Sequence, residues 1–148
     1  MELSDRFVVK ASSQDAWALF WDLPRVAQCL PGCEDIQARG DTGYRAQFAQ
    51  KVGPFQITMN LDLNVDEMIE EKRVTVSGAG QDRMGNRLKV NRLALELGTS
   101  SSGETEVSYS MDFNLYGRLA TLGHAVVKRK AEETRAEFSR RIAAELGS

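Results

Sequence analysis

The chain has 148 residues, of which 42% are hydrophobic and 27% are charged, and its formal net charge is −2. This length fits one domain, residues 1–148, which buries roughly 70% of its unfolded surface and needs no metal or disulfide to hold a core. The near-balanced charge excludes the strongly basic proteins that bind nucleic acid, and no run approaches the ~18 apolar residues of a membrane-spanning helix.

The N-terminal segment predicts a short strand followed by two short helices. It lacks the basic and apolar regions of a signal peptide, so we expect a cytoplasmic protein. A β-like run covers residues 2–10. Ser13 and Asp15 then mark a helix start, because a serine caps free amide groups and an acid favours the positive end of the helix dipole. A second helix is predicted from 24 to 30, where a Pro-Gly pair ends it.

From residue 34 to residue 116, apolar and polar residues alternate with a period of two, which is typical of half-buried β-strands. The clearest runs cover 55–65 and 107–115. Short turns rich in glycine separate the runs, so about six neighbouring strands are predicted to be antiparallel. A change of phase at Asn91 and Arg92 predicts a β-bulge that bends the sheet.

Beyond Gly117 the sequence predicts one helix that ends near Leu146 and measures about 45 Å. Its first half is apolar on nearly all sides apart from Thr121 and His124, and its second half is charged. Only this helix is long enough to cover the apolar face of the sheet. The predicted fold class is therefore α+β, with a curved antiparallel sheet wrapped around a long C-terminal helix.

A curved sheet does not close perfectly on one helix, so we expect an apolar cavity between them, of about 300–1,000 Å³. Its predicted lining comes from the inner faces of the strands and from the apolar half of the helix. These residues are Tyr44, Phe48, Ile57, Met59, Leu61, Leu63, Val76, Tyr109, Met111, Phe113, Leu119, Leu122 and Val126. The alternative is a filled core, because apolar stripes of this kind most often only pack.

Several segments resemble the carbon monoxide dehydrogenase G-subunit (CoxG) family, within the START-like, helix-grip superfamily of hydrophobic-ligand binders. They include Phe7-Val8-Val9-Lys10-Ala11, Asp22-Leu23-Pro24, Cys29-Leu30-Pro31-Gly32-Cys33, Lys51-Val52-Gly53-Pro54, Gly78-Ala79-Gly80-Gln81-Asp82 and Tyr116-Gly117-Arg118-Leu119-Ala120. The resemblance implies a non-catalytic accessory protein that serves a molybdenum hydroxylase such as carbon monoxide dehydrogenase. It also implies a peripheral tie to the inner face of the membrane, and an apolar cavity suited to a quinone or another lipid, with no cofactor of its own.

The same resemblance points to two loops as a lid over the cavity or as a surface for the partner enzyme. The first is formed by Pro31, Gly32 and Cys33, and the second by Gly53 and Pro54.

Neither the cysteines nor the single histidine predict a catalytic or metal site. Cys29 and Cys33 lie four residues apart, but a zinc site needs about four ligands and the histidine is distant in sequence. Two buried thiols at a helix end are the simpler interpretation. His124 has no nucleophile or carboxylate beside it in any motif, which favours a structural or cavity-rim role.

The charges of the last helix predict mainly a solvated face. Pairs such as Lys128/Glu132 and Glu137/Arg141 stand at the spacing of ion pairs on one helix.

Two functions compete with the accessory carrier. One is an enzyme of the aromatase/cyclase kind, which would need polar groups inside the cavity, and the other is a pure assembly module with a filled core.

Overall fold

The computed structural model describes residues 1–147 and arranges seven strands and one long helix around a common core. The N-terminal elements are β1 (Glu2–Val9), α1 (Ser13–Trp21) and α2 (Leu23–Gln28). Six strands follow: β2 (Cys33–Arg39), β3 (Gly43–Val52), β4 (Phe55–Ile69), β5 (Arg73–Gln81), β6 (Arg87–Thr99) and β7 (Thr105–Tyr116). A 3₁₀ helix (Gly117–Leu122) and α3 (His124–Glu145) complete the fold.

The sheet has the spatial order β1-β7-β6-β5-β4-β3-β2, and every neighbouring pair is antiparallel. Each strand from β2 to β7 pairs with the next one in sequence, as the short turns predicted. Strand β1 is the exception, because it pairs with β7 and forms one edge of the sheet. The predicted α+β fold class is confirmed.

Irregular register bends the sheet around α3. The phase change predicted at Asn91 and Arg92 is a register shift between Val90 and Arg92. The same irregularity of β6 also shifts its register with β5, between Val76 and Gly78. Two further shifts, in β2 and β4, were not visible in the alternation of the sequence. Such bulges increase the local twist and bend of a strand.

The prediction of a helix that begins at 117 is wrong. Residues 117–122 form the 3₁₀ helix, and Gly123 then adopts φ 86° and ψ 155°, which breaks the α-helical hydrogen-bond ladder. The α-helix has 22 residues and a length of about 33 Å. The predicted helix cap at Ser13 is also displaced, because Ser12 Oγ accepts the hydrogen bond from the Asp15 backbone N–H at 3.1 Å.

Two apolar clusters fill the space between the sheet and the helices. One lies beside α1, α2 and the C-terminal half of α3, and it includes Phe20, Leu95 and Ile142. The other lies toward the 3₁₀ helix and includes Ile57 and Phe113. The candidate site lies where these two clusters meet.

Candidate functional site

The sheet and α3 enclose two adjoining apolar spaces. The larger has a volume of about 150 Å³ and lies between α2, the inner face of the sheet and α3. The smaller, about 90 Å³, lies toward the 3₁₀ helix. Both volumes are below the range expected from the sequence. The two spaces share five lining residues: Leu3, Phe48, Leu88, Met111 and Thr134.

Most of the thirteen predicted cavity residues border one of these spaces. The larger is lined by Tyr44, Phe48, Leu61, Leu63, Val76, Tyr109 and Met111. The smaller is lined by Phe48, Ile57, Met111, Phe113 and Leu119. That these residues bind a ligand stays a prediction.

Three of the predicted residues border neither space. Met59 is buried, and its sulfur packs against Gly80. Leu122 and Val126 lie against Gly53 in the β3–β4 turn.

Sequence reasoning missed much of the wall on α2, β6 and α3. The missed residues include Val26, Leu30, Leu88, Val90, Leu93, Leu95, Thr134 and Phe138. The signal for β6 was its phase change, which places Leu88 and Val90 on the same inner face as Leu93 and Leu95. On α3, Phe138 and Ile142 are visible in the sequence at a spacing of four, but the cavity lining was predicted from the apolar first half of the helical segment and not from its charged second half.

The main polar groups beside the larger space bond to each other. The Tyr109 hydroxyl and Ser139 Oγ share a hydrogen bond of 2.7 Å, and Tyr109 Oη also lies 3.2 Å from the Arg135 carbonyl oxygen. Ser139 Oγ donates to Asp5 Oδ2 at 2.5 Å, and Arg135 Nη1 forms an ion pair with the same oxygen at 2.9 Å. No buried side-chain nitrogen or oxygen within residues 1–147 lacks a hydrogen-bond partner.

This network fastens α3 to the edge of the sheet and sets two pKa values. Burial raises the pKa of Tyr109 to about 12, so the hydroxyl stays protonated. Burial also acts to raise the pKa of Asp5, but hydrogen bonds from Ser139 and from the Arg6 backbone, with the charge of Arg135, outweigh it and lower the pKa. Asp5 is therefore an ionised anchor for the helix.

Both cysteines are buried free thiols. Cys33 lines the larger space, and burial, with the nearby charge of Glu34, raises its pKa to about 11. The Cys29 thiol donates to the Arg25 carbonyl oxygen at 3.5 Å. A protonated thiol is a poor nucleophile and metal ligand. Within the described residues, no three His, Cys, Asp or Glu side chains cluster as metal ligands would.

The first predicted loop is fastened to β3. Gln50 Nε2 donates to the Pro31 carbonyl oxygen at 2.7 Å, and the Ala49 backbone N–H donates to the Gly32 carbonyl oxygen at 2.9 Å. Gly32 has φ 85°, and a Cβ there would lie 2.0 Å from the Ala49 oxygen. Cys33 follows as a buried wall residue, so only the Pro31–Gly32 part is available at the surface.

The second predicted loop, Gly53 and Pro54, is the exposed turn between β3 and β4. It lies next to Leu122 and Val126 at the start of the helical segment. His124 begins α3 nearby and is exposed, and it lines neither apolar space. The roles of both loops as lid or partner surface stay predictions.

The fold is a helix-grip (START-like) fold. A conserved protein from Geobacillus kaustophilus shares it with a TM-score of 0.86 and 14% identity, over 99% of this chain and 95% of that one. The Zhui aromatase/cyclase from Streptomyces sp. R1128 shares it with a TM-score of 0.68 and 12% identity, over 99% and 93%. At these identities the likeness establishes the fold alone.

The profile of the CoxG family, named for the G subunit of carbon monoxide dehydrogenase, matches residues 6–147, and the chain belongs to this family. Comparison with curated protein sequences gives no match. Among the helices of residues 1–147, none is long and apolar enough to cross a membrane.

Proposed function

We propose that this protein is a non-catalytic carrier that holds a quinone or another lipid between the sheet and α3. The observation that carries the proposal is the lining of the larger space, which is almost entirely carbon, while Tyr109 and Arg135 at its border are already bonded to Ser139 and Asp5. A ligand placed there gains binding free energy of roughly 25 cal/mol for each Å² of apolar surface removed from water.

The size of the two spaces fits a slender ligand better than a bulky one. About 150 Å³ is on the order of a cavity that holds one benzene ring, so the larger space suits a quinone ring. An isoprenoid or acyl chain would continue into the smaller space. Met111 and Phe48 stand between the two spaces, and the flexible thioether of Met111 can move to join them.

The family supports the partner in this proposal. Its name refers to carbon monoxide dehydrogenase, so we propose a molybdenum hydroxylase of that class as the enzyme served. The protein would work in the cytoplasm, peripheral to the membrane, and pass its ligand between the enzyme and the lipid phase.

Two other functions have an observation in their favour. The small volume of the larger space favours a pure assembly module whose core is simply filled. The fold shared with an aromatase/cyclase favours an enzyme, for which the polar wall residues Tyr109, Thr134 and Arg135 would be the candidates.

Native mass spectrometry of freshly purified protein tests the carrier against both alternatives. The carrier predicts retained lipid that leaves on solvent extraction, and rebinding of a short-chain quinone to the extracted protein. An assembly module would retain nothing and bind no quinone. An enzyme of the aromatase/cyclase kind would convert a substrate of that reaction class, and its activity would fall when Tyr109 or Arg135 is replaced.

A further inference from the structure

Three segments meet at one end of the fold, and we call this the basic end. It consists of residues 51–57, 82–88 and 116–130. Leu122 and Val126 lie against Gly53, which joins the β3–β4 turn to the helical segment. Gly117 packs on the carbonyl oxygen of Gly85, which joins the β5–β6 turn to the same segment.

The basic end carries a strong positive charge on a protein that is negative overall. Its seven basic residues are Lys51, Arg83, Arg87, Arg118, Lys128, Arg129 and Lys130. Asp82 is its only acidic residue, which gives this end a charge of +6. Because the whole chain has a charge of −2, the rest of the molecule carries −8. The positive charge of the protein is therefore concentrated at this end.

None of these seven cations has an ion-pair partner within residues 1–147, whereas Arg135, Arg140 and Arg141 farther along α3 are all paired. The predicted Lys128/Glu132 pair is not formed, because Glu132 pairs with Arg135 instead. The carboxylate of Asp82 is occupied by the turn, where it accepts hydrogen bonds from the Met84 and Asn86 backbone N–H groups and from Asn86 Nδ2.

Apolar side chains protrude singly among these cations. Met84 is 65% exposed, Tyr116 39% and Val126 39%, and they are three of the six exposed large hydrophobic residues in the described chain. The guanidinium of Arg87 lies 4.9 Å from the centre of the Tyr116 ring, and that of Arg118 lies 4.8 Å from the centre of the Phe55 ring. An apolar side chain beside a cation suits the boundary between lipid headgroups and acyl chains.

We propose that the basic end docks on an anionic lipid surface. Unpaired cations complement the negative surface potential of a membrane. The exposed apolar side chains stand on separate turns, so each can enter between lipid headgroups. They do not form the continuous groove that would bind a protein segment. This inference rests on the proposed carrier function, because Val52, Leu119 and Lys130 of the basic end also line the smaller apolar space. Docked in this way, the protein brings that space to the bilayer, where an apolar ligand can pass without crossing water.

Co-sedimentation of the full chain with vesicles tests the docking surface. Vesicles of phosphatidylcholine and phosphatidylglycerol in equal parts should bind the protein, and vesicles of phosphatidylcholine alone should not. Each basic residue near such a surface strengthens binding about fivefold, so Lys128→Glu with Arg129→Glu should weaken binding by at least ~10-fold. Met84→Asp should weaken it too, through loss of apolar insertion, and added salt should weaken binding of the unaltered chain.

The matched control is Arg39→Glu with Lys72→Glu. These exposed residues lie at the end of β2 and in the β4–β5 turn, at the opposite end of the sheet, and the double change alters the net charge equally. It should leave vesicle binding within about twofold, since binding depends on local charge. Equal losses in the two double variants, or no binding to anionic vesicles, would overturn the proposal. Retention on an immobilised acidic protein without vesicle binding would assign the basic end to a protein partner instead.

Titration with a short-chain quinone in the absence of vesicles tests the carrier function separately from the docking surface. Both double variants should bind the quinone as the unaltered chain does, since none of the four residues lines an apolar space. Loss of vesicle binding with quinone binding retained concerns the docking surface alone. Absence of quinone binding in the unaltered chain contradicts the carrier function whatever the vesicles show.

Discussion

The side-chain carbonyl of Asn86 accepts a hydrogen bond from the backbone N–H of Leu119, with 3.1 Å between Asn86 Oδ1 and Leu119 N. Asn86 is buried, and its Nδ2 donates to Asp82 Oδ2 at 2.8 Å within the β5–β6 turn. This contact holds the first turn of the 3₁₀ helix, whose N–H groups have no helical partner. The turn thereby positions Leu119 in the wall of the smaller apolar space.

Replacing Asn86 with Ala should therefore destabilise the 3₁₀ helix. The change leaves the Leu119 N–H buried without an acceptor, which costs about 1–3 kcal/mol of the free energy of unfolding. Urea denaturation measures this cost, and faster hydrogen exchange over residues 118–122 would locate it. Thr121→Ala is the control, because the Thr121 hydroxyl donates only to the neighbouring Arg118 carbonyl at an exposed site. A loss no larger than that of Thr121→Ala would contradict the anchoring role of Asn86.

Gly117 is predicted to tolerate no side chain. It has φ 84°, and a Cβ there would lie 2.3 Å from the Gly85 carbonyl oxygen. Gly103 has φ 86° in the β6–β7 turn, with open space around it. Gly103→Ala should cost about 1–2 kcal/mol from backbone conformation alone. Gly117→Ala should cost more, because the turn must also move, and thermal unfolding of the two variants compares them directly. Equal costs would show that the approach to Gly85 is not tight.

Periodicity predicted the sheet well because each strand from β2 to β7 pairs with its neighbour in sequence. The break at Gly123 was missed, since the apolar residues on both sides of it suit a continuous helix. The network of Asp5, Tyr109 and Ser139 was also invisible, because contacts between residues 30 and 134 positions apart leave no trace in local alternation. The wall of the candidate site was predicted where it lies on regular strands, and missed where bulges or helix rotation decide which side chains face inward.

Acid should weaken the attachment of α3 through Asp5. Its pKa in the folded protein is below the ordinary value of 3.8, so folding favours the ionised form. The stabilisation is present above that ordinary value and is lost as the pH falls through the folded pKa. Asp5→Asn should lower stability at neutral pH and flatten the decline between about pH 5 and pH 2, as measured by urea denaturation across the range. Asp41→Asn, at an exposed turn position, should keep the decline. An unchanged acid profile in Asp5→Asn would contradict this role.

Alkaline pH should lower the stability of the fold through Cys33. Its pKa rises from the ordinary 9.0 to about 11 in the folded protein, so its contribution to stability is full below pH 9 and is lost between pH 9 and 11. Cys33→Ser should reduce the loss over that interval. The native thiol should also react with iodoacetamide far more slowly than the same thiol in denaturant, because only the thiolate attacks. Rapid alkylation of Cys33 in the native protein would contradict its burial.

The most direct test of the carrier function is quinone binding by a cavity-filling variant and a matched variant outside the cavity. Trp17 is buried in the same core cluster as Val26, Leu95 and Phe138 of the cavity wall, while Trp21 is 62% exposed, so Trp21→Phe leaves one tryptophan of the chain beside the site. In that background, quenching of Trp17 by a short-chain quinone reports binding.

Met111→Trp fills the junction of the two spaces, whereas Leu122→Trp adds the same ring outside both. Overpacking at Met111 should cost about 1–3 kcal/mol of stability. The emission of the added tryptophan is measured in each variant and subtracted before the quenching of Trp17 is evaluated. His124→Ala and Cys29→Ser should leave binding nearly unchanged, since neither residue lines an apolar space. We predict that Met111→Trp lowers quinone affinity at least ~10-fold, or 1.4 kcal/mol, while Leu122→Trp binds normally. Equal affinity in the two tryptophan variants, or loss of binding on replacing His124 or Cys29, would contradict the account.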